Sequence, residues 1–133
     1  MSVRISRGAL MDMLRNNVVE ATFTRRIPLT NRPIHRRALI TNCTSLLNGA
    51  LGREVLHFRP PTGYVQPYSL DALQLVLAWD IFWQDYRQFD GLTASIVTAI
   101  PVATPADQEA WWEYFRIHLA TMPPDKKMAF MDT

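Results

Sequence analysis

The chain has 133 residues, 48% of them apolar and 11% aromatic, which suits the core of a single domain. The apolar content and the formal net charge of only +2 argue against a globally disordered chain, and no apolar run reaches the about 20 residues of a membrane-spanning helix. The basic start of the chain is not followed by the apolar segment of an export signal, so we expect a cytoplasmic protein without a membrane partner.

The charge is divided unevenly along the chain. Residues 1–60 contain ten arginines and three acidic residues, whereas residues 61–133 contain four basic and nine acidic residues. The forked guanidinium group of arginine is suited to binding phosphates and carboxylates. The first half is therefore predicted either to present a basic recognition face or to pair its charges with the acidic second half.

The first predicted elements are a short helix and a hairpin. Residues 6–16 carry apolar side chains at helical spacing, with Ser6 as the N-cap. Alternating β-branched residues over 18–27 predict a strand whose apolar face includes Phe23, and residues 34–41 predict its hairpin partner.

Basic residues gather around this hairpin and the segment that follows it. Arginines interleaved with aromatic side chains can hold a phosphate backbone and stack bases. The predicted nucleic-acid-binding residues are Arg25, Arg26, Arg32, Arg36, Arg37, Arg53 and Arg59. The alternative is a solvated hairpin, with the aromatic side chains belonging to the core.

Residues 42–70 have little regular pattern and are predicted as a variable insert. A helical turn is expected at 44–49, closed by Gly49 or Gly52. A short strand is expected at 55–58.

The second half of the chain predicts three more strands. Residues 73–83 form the most apolar segment and predict a central strand, followed by strands at 86–89 and 92–100. The residues predicted to form the core of the strands are Val19, Ala21, Phe23, Leu75, Leu77, Trp79 and Phe89.

The last predicted element is an aromatic amphipathic helix over 104–122. Thr104 is its expected N-cap, with proline at the first helical position and an acidic residue in the first turn. Four aromatic residues surround this helix, so one docking face cannot bury them all. The predicted protein interface consists of Trp111, Trp112, Tyr114 and Phe115, with burial of all four inside the domain as the alternative.

The sequence contains no pattern that indicates catalysis. Asp80 and Asp85 flank one turn, where they are predicted to fix the turn and pair with Arg87 and not to form a paired-carboxylate site. The three histidines lie on different elements, and Cys43 is the single cysteine. We therefore predict no enzyme activity, no metal site and no cofactor.

Two segments of the chain resemble a known family. Residues 18–25 read Val-Val-Glu-Ala-Thr-Phe-Thr-Arg, and Trp-Asp at 79–80 precedes Tyr-Arg-Gln-Phe at 86–89. This order is similar to small proteins of large tailed phages, which have a Src-homology-3-like (SH3-like) β-barrel related to WYL domains. The family usually has tryptophan where Tyr86 stands, a short glycine turn in place of residues 28–33, and no counterpart of the C-terminal helix.

The resemblance implies a barrel, a phage origin and no known catalytic residues. The sequence thus predicts an α+β fold, a small, strongly bent antiparallel sheet or SH3-like barrel of about five strands with an N-terminal and a C-terminal helix. The expected organisation is a domain over 1–103 that contains the insert 42–70, the aromatic helix 104–122, and a flexible tail over 123–133.

The predicted function is binding without catalysis. The first hypothesis is a phage accessory protein that binds nucleic acid, or a host nucleic-acid-processing machine, through the basic hairpin. Two alternatives stay open: an inhibitor or adaptor that binds a host protein or a second copy through the aromatic helix, and a small virion component.

Overall fold

The computed structural model describes residues 3–26, 33–59 and 69–121. In chain order its elements are β1 (Val3–Arg4), α1 (Arg7–Leu14), β2 (Asn17–Arg26), β3 (Pro33–Thr41), α2 (Thr44–Leu47), a π-helix (Leu51–Val55), β4 (Leu75–Asp80), β5 (Asp85–Asp90), β6 (Ser95–Pro101) and α3 (Pro105–Thr121). Arg32, residues 60–68 of the predicted insert and the predicted tail lie outside the described residues.

The strands form one antiparallel sheet in the order β1-β6-β2-β3-β4-β5. The predicted α+β class, with helices near both ends of the chain, is therefore confirmed. The sheet has one strand more than the hairpin pattern suggests, because Val3 and Arg4 pair with the start of β6. In the part of the chain that the structure describes, β1 and β5 do not pair, so the sheet is not closed.

The first core lies inside the bend of the sheet, under α1. Ser6 caps α1 by accepting a hydrogen bond from the Ala9 amide, and the helix buries Leu10 and Leu14 one turn apart. A bulge at Glu20 and Ala21 bends β2. The buried residues of this core are Leu10, Leu14, Val19, Ala21, Phe23, Ala38, Ile40, Val76, Ala78, Phe89 and Ala94.

The second core lies at the other end of the sheet, where α2, the π-helix and α3 pack. Helix α3 begins as predicted, because the Thr104 hydroxyl accepts a hydrogen bond from the Asp107 amide. The buried residues of this core are Val18, Cys43, Leu46, Leu47, Leu56, Trp79, Ile81, Val102, Trp111 and Phe115.

The prediction for the faces of β4 was partly wrong. Trp79 is buried as expected, but Leu75 and Leu77 are only half-buried, and the first core takes Val76 and Ala78 instead. Leu75, Leu77 and Trp79 share one face of the strand, yet the helices of the second core cover that face only at Trp79.

The predicted strand at 55–58 was also wrong. A π-helix ends at Val55, where the Leu56 amide donates to the Leu51 carbonyl at 2.9 Å, and residues 56–58 form no strand. Gly52 packs so closely against the backbone of Leu47 that a Cβ atom on Gly52 would clash with the Leu47 carbonyl oxygen. This close approach turns the segment back onto α2 and prevents it from extending.

None of the helices within residues 3–26, 33–59 and 69–121 is long and apolar enough to cross a membrane.

Candidate nucleic-acid interface

Strands β2 and β3 extend past the rest of the sheet as a two-stranded ribbon. Pairing of β2 with β6 ends at Thr22 opposite Ser95, and pairing of β3 with β4 involves only Ile40 and Thr41. Pairing between β2 and β3 continues to Arg26 opposite Pro33. We call residues 23–26 and 33–36 the ribbon, because in the described residues each of its strands has only the other as a strand neighbour.

The base of the ribbon is held against the body of the protein. The ring of Phe23 stacks on Phe89 of β5 with 4.8 Å between ring centroids. The Thr24 amide donates to the Thr93 hydroxyl at 3.0 Å, and that hydroxyl donates to the Thr24 carbonyl at 3.2 Å. Thr24 also contacts the Nδ1 atom of His35 across the ribbon at 3.3 Å. These contacts set the direction in which the ribbon leaves the sheet.

The strand register divides the arginine positions between two faces. Arg36 lies opposite Phe23, and Arg25 is two residues further along the same strand as Phe23, so both occupy positions on the Phe23 face. Arg37 lies opposite Thr22, and Arg26 occupies a position on the same face as Thr22. The predicted group of four arginines is thus two pairs of positions on opposite faces.

Arg37 has an acidic neighbour. Its guanidinium lies 2.9 Å from Oε2 of Glu20, and both side chains are partly buried. Glu20 is also the last acidic residue before Glu54, and six arginines lie between the two. Along the sequence, these six arginines therefore have no acidic residue among them.

Arg53 and Arg59 do not lie near the ribbon. Arg53 is an exposed residue of the π-helix, and Arg59 follows Phe58, which packs edge-on against Trp79 at 5.1 Å. Trp79 pairs with Thr41, the last residue of β3. The nearest ribbon residue on β3, Arg36, is five residues away, which corresponds to about 17 Å of strand.

The aromatic residues of α3 also divide into two groups. Trp111 and Phe115 are buried in the second core and stack on each other with 5.1 Å between ring centroids. Trp112 is half-buried, and Tyr114 is 58% exposed. The structure thus places two of the four predicted interface residues in the core and leaves Tyr114 on the surface.

The turn between β4 and β5 is fixed by Asp80. Its buried carboxylate accepts hydrogen bonds from the amides of Phe82 at 3.1 Å and Trp83 at 3.0 Å, and from the Arg87 guanidinium at 3.1 Å. Burial raises the pKa of Asp80, although Arg87 and the two amides oppose the shift. Asp85 is exposed, and its carboxylate accepts from the Tyr86 amide. Asp80 therefore pairs with Arg87 as predicted.

A cleft of about 830 Å³ lies between α1 and β4, and the sequence contains no signal for it. On its wall, Arg7 donates to the Leu75 carbonyl and to Asp71, while the Asn42 side chain donates to the Leu77 carbonyl. Two side chains thus satisfy carbonyls that a neighbouring strand would otherwise bind.

Among the described residues, no group of three or more His, Cys, Asp or Glu side chains could hold a metal ion.

Comparisons of the chain with family models, with curated proteins and with solved structures find no match.

Proposed function

We propose that this protein acts by binding nucleic acid through the β2–β3 ribbon, without catalysing a reaction. The observation that carries the proposal is the ribbon itself, a pair of strands that leaves the sheet with arginine positions on both faces. Arginine is suited to phosphate because its planar guanidinium donates two parallel hydrogen bonds.

The distribution of charged residues along the sequence supports the same function. Along the sequence between Glu20 and Glu54 no carboxylate accompanies the arginines of the ribbon. Binding to a nucleic-acid backbone releases condensed counterions, so affinity should fall steeply with salt, with a slope of about −0.9 per phosphate neutralised on duplex DNA.

The first experiment measures this slope by fluorescence anisotropy with a labelled duplex at several salt concentrations. Replacing Arg25 and Arg36 together with glutamine should reduce the magnitude of the slope by roughly two and weaken binding to all sequences alike, because phosphate contacts position the protein without reading bases.

The matched control replaces two arginines on helices far from the ribbon, Arg15→Gln and Arg116→Gln. Both are exposed, and each lies beside an acidic residue of its own helix, Asp12 and Glu113 respectively. This variant removes the same formal charge and should keep the wild-type slope. The proposal is wrong if the wild-type protein shows no salt-sensitive binding to DNA or RNA at low ionic strength.

The proposal extends to the fold family and its setting. The stacking of Phe23 on Phe89 brings β5 against β2 across the bend of the sheet, which supports an SH3-like barrel that is partly open. We propose on this basis, and on the resemblance of the strand and hairpin segments, that the chain is a phage accessory protein of the host cytoplasm.

A second candidate function is capture of a host protein or of a second copy through α3. The observation in its favour is the exposure of two large side chains on that helix, Tyr114 and Ile117. Aromatic residues such as tyrosine are enriched where interfaces gain most of their binding energy.

A further inference from the structure

We infer that the ligand of the ribbon is double-stranded DNA, bound in the major groove. This inference rests on the proposed function and narrows it to one class of nucleic acid. Three properties of the ribbon carry it: the faces that its arginine positions occupy, its thickness, and its lack of exposed Phe, Tyr or Trp rings.

The arginine positions fit a ligand that surrounds the ribbon. On the Phe23 face, Arg36 lies opposite the residue whose ring packs on β5, and Arg25 lies two residues further out, while Arg26 occupies a position on the other face. A flat or one-sided polyanion would meet only one of these faces. A groove has phosphates along both of its walls, so a ribbon inside it places both faces near negative charge.

The thickness of the ribbon indicates which groove of a nucleic-acid duplex could hold it. Side chains on both faces of a strand pair make a layer about 10 Å thick, as in packed sheets. The major groove of B-form DNA is about 12 Å wide and admits a two-stranded ribbon, whereas the minor groove is about 6 Å wide. Double-stranded RNA has a deep and narrow major groove that side chains do not read. Duplex DNA is therefore the ligand that fits.

The described part of the ribbon exposes no phenylalanine, tyrosine or tryptophan ring on which bases could stack; its exposed imidazole, His35, contacts Thr24. From residue 23 to residue 41 the sequence contains one phenylalanine, Phe23, and no tryptophan or tyrosine. Phe23 is 2% exposed because its ring stacks on Phe89. Proteins that hold single strands combine positive charge with exposed aromatic rings. Positive charge without exposed Phe, Tyr or Trp rings favours a duplex, whose bases already stack on one another.

The test compares one sequence of about two helical turns as duplex DNA, duplex RNA and single-stranded DNA, by anisotropy at one ionic strength. We expect duplex DNA to bind about tenfold more tightly than the other two. Methyl green, which occupies the major groove, should displace the protein. Distamycin, which occupies the minor groove, should not.

The outcomes separate this inference from the proposed function. Equal or tighter binding to duplex RNA or to single-stranded DNA would overturn the inference and leave nucleic-acid binding in place, as would displacement by distamycin alone. A protein that binds none of the three ligands would contradict both the inference and the proposed function. The Arg25→Gln/Arg36→Gln variant should lose the preference for duplex DNA, and the Arg15→Gln/Arg116→Gln control should retain it.

Discussion

The carboxylate of Asp80 is fully buried and accepts hydrogen bonds from two backbone amides and from the guanidinium of Arg87, which is itself only 13% exposed. The guanidinium also lies over the ring of Trp83, 4.6 Å from its centroid. Removing one partner of such a pair leaves a buried charge without compensation, which costs more than the pair contributes.

Asp80→Ala should therefore lower the free energy of unfolding by about 3–5 kcal/mol. Denaturant titration followed by tryptophan fluorescence measures this change. Asp85→Ala is the control, because that exposed residue ends the same turn and should change stability by less than about 0.5 kcal/mol. Equal effects of the two substitutions would mean that the buried ion pair does not hold the hairpin.

The same residue gives a pH dependence with a defined sign. Because burial raises the pKa of Asp80 above its ordinary value of 3.8, the folded state binds the proton more tightly than the unfolded state. The contribution of this group to the free energy of unfolding is present below pH 3.8 and is lost as the pH rises through the folded pKa. Asp80→Asn does not titrate, so the stability of the wild type relative to this variant should fall with rising pH in that window; a rise would mean that Arg87 outweighs burial.

At the scale of elements, α3 combines a buried side with an exposed one. Trp111 packs among the residues of the second core, while Tyr114 projects to the surface. Thr104 and Pro105 start the helix where the sequence predicts it, because capping depends on a few neighbouring residues. Which aromatic residues the core would take depends on the packing of α3 against the sheet, which the helical periodicity alone does not reveal.

Trp111→Ala should lower the free energy of unfolding by about 3–5 kcal/mol, the usual cost of truncating a buried aromatic. Tyr114→Ala should leave the melting temperature nearly unchanged. If α3 is an interface, Tyr114→Ala should also weaken self-association or capture of a host protein, as measured by sedimentation or pull-down. An unchanged interaction together with unchanged stability would exclude Tyr114 from any interface.

Other elements show the limit of local patterns. In the π-helix at Leu51–Val55, Gly52 packs on the backbone of Leu47, a contact that hydrophobic periodicity does not encode. The alternating pattern predicted that β4 is a strand, but it did not predict which face is buried. The helices that cover one face reach Trp79 and stop short of Leu75.

At the scale of the whole molecule, the hairpin of β2 and β3 was predictable and the distribution of its charge was not. Alternating β-branched residues indicate both strands. The separation of Arg53 and Arg59 from the ribbon follows from the packing of Phe58 at the far end of β3, a long-range contact without a sequence signal. The basic first half of the chain is thus distributed over two ends of the fold, and only one of them carries the ribbon.

Strand β2, like β4, contributes side chains to both cores. Val18 belongs to the second core and Val19 to the first, and β2 lies between β6 and β3 in the sheet. The two cores should therefore unfold in one cooperative transition, and the amides of residues 18–22 should exchange with solvent deuterium only through global unfolding. Amides at the outer end of the ribbon, at residues 25, 26, 34 and 35, should exchange much earlier, because these residues belong to neither core. Mass spectrometry of deuterium uptake checks this order, and early exchange at residues 18–22 would show that the two cores open independently.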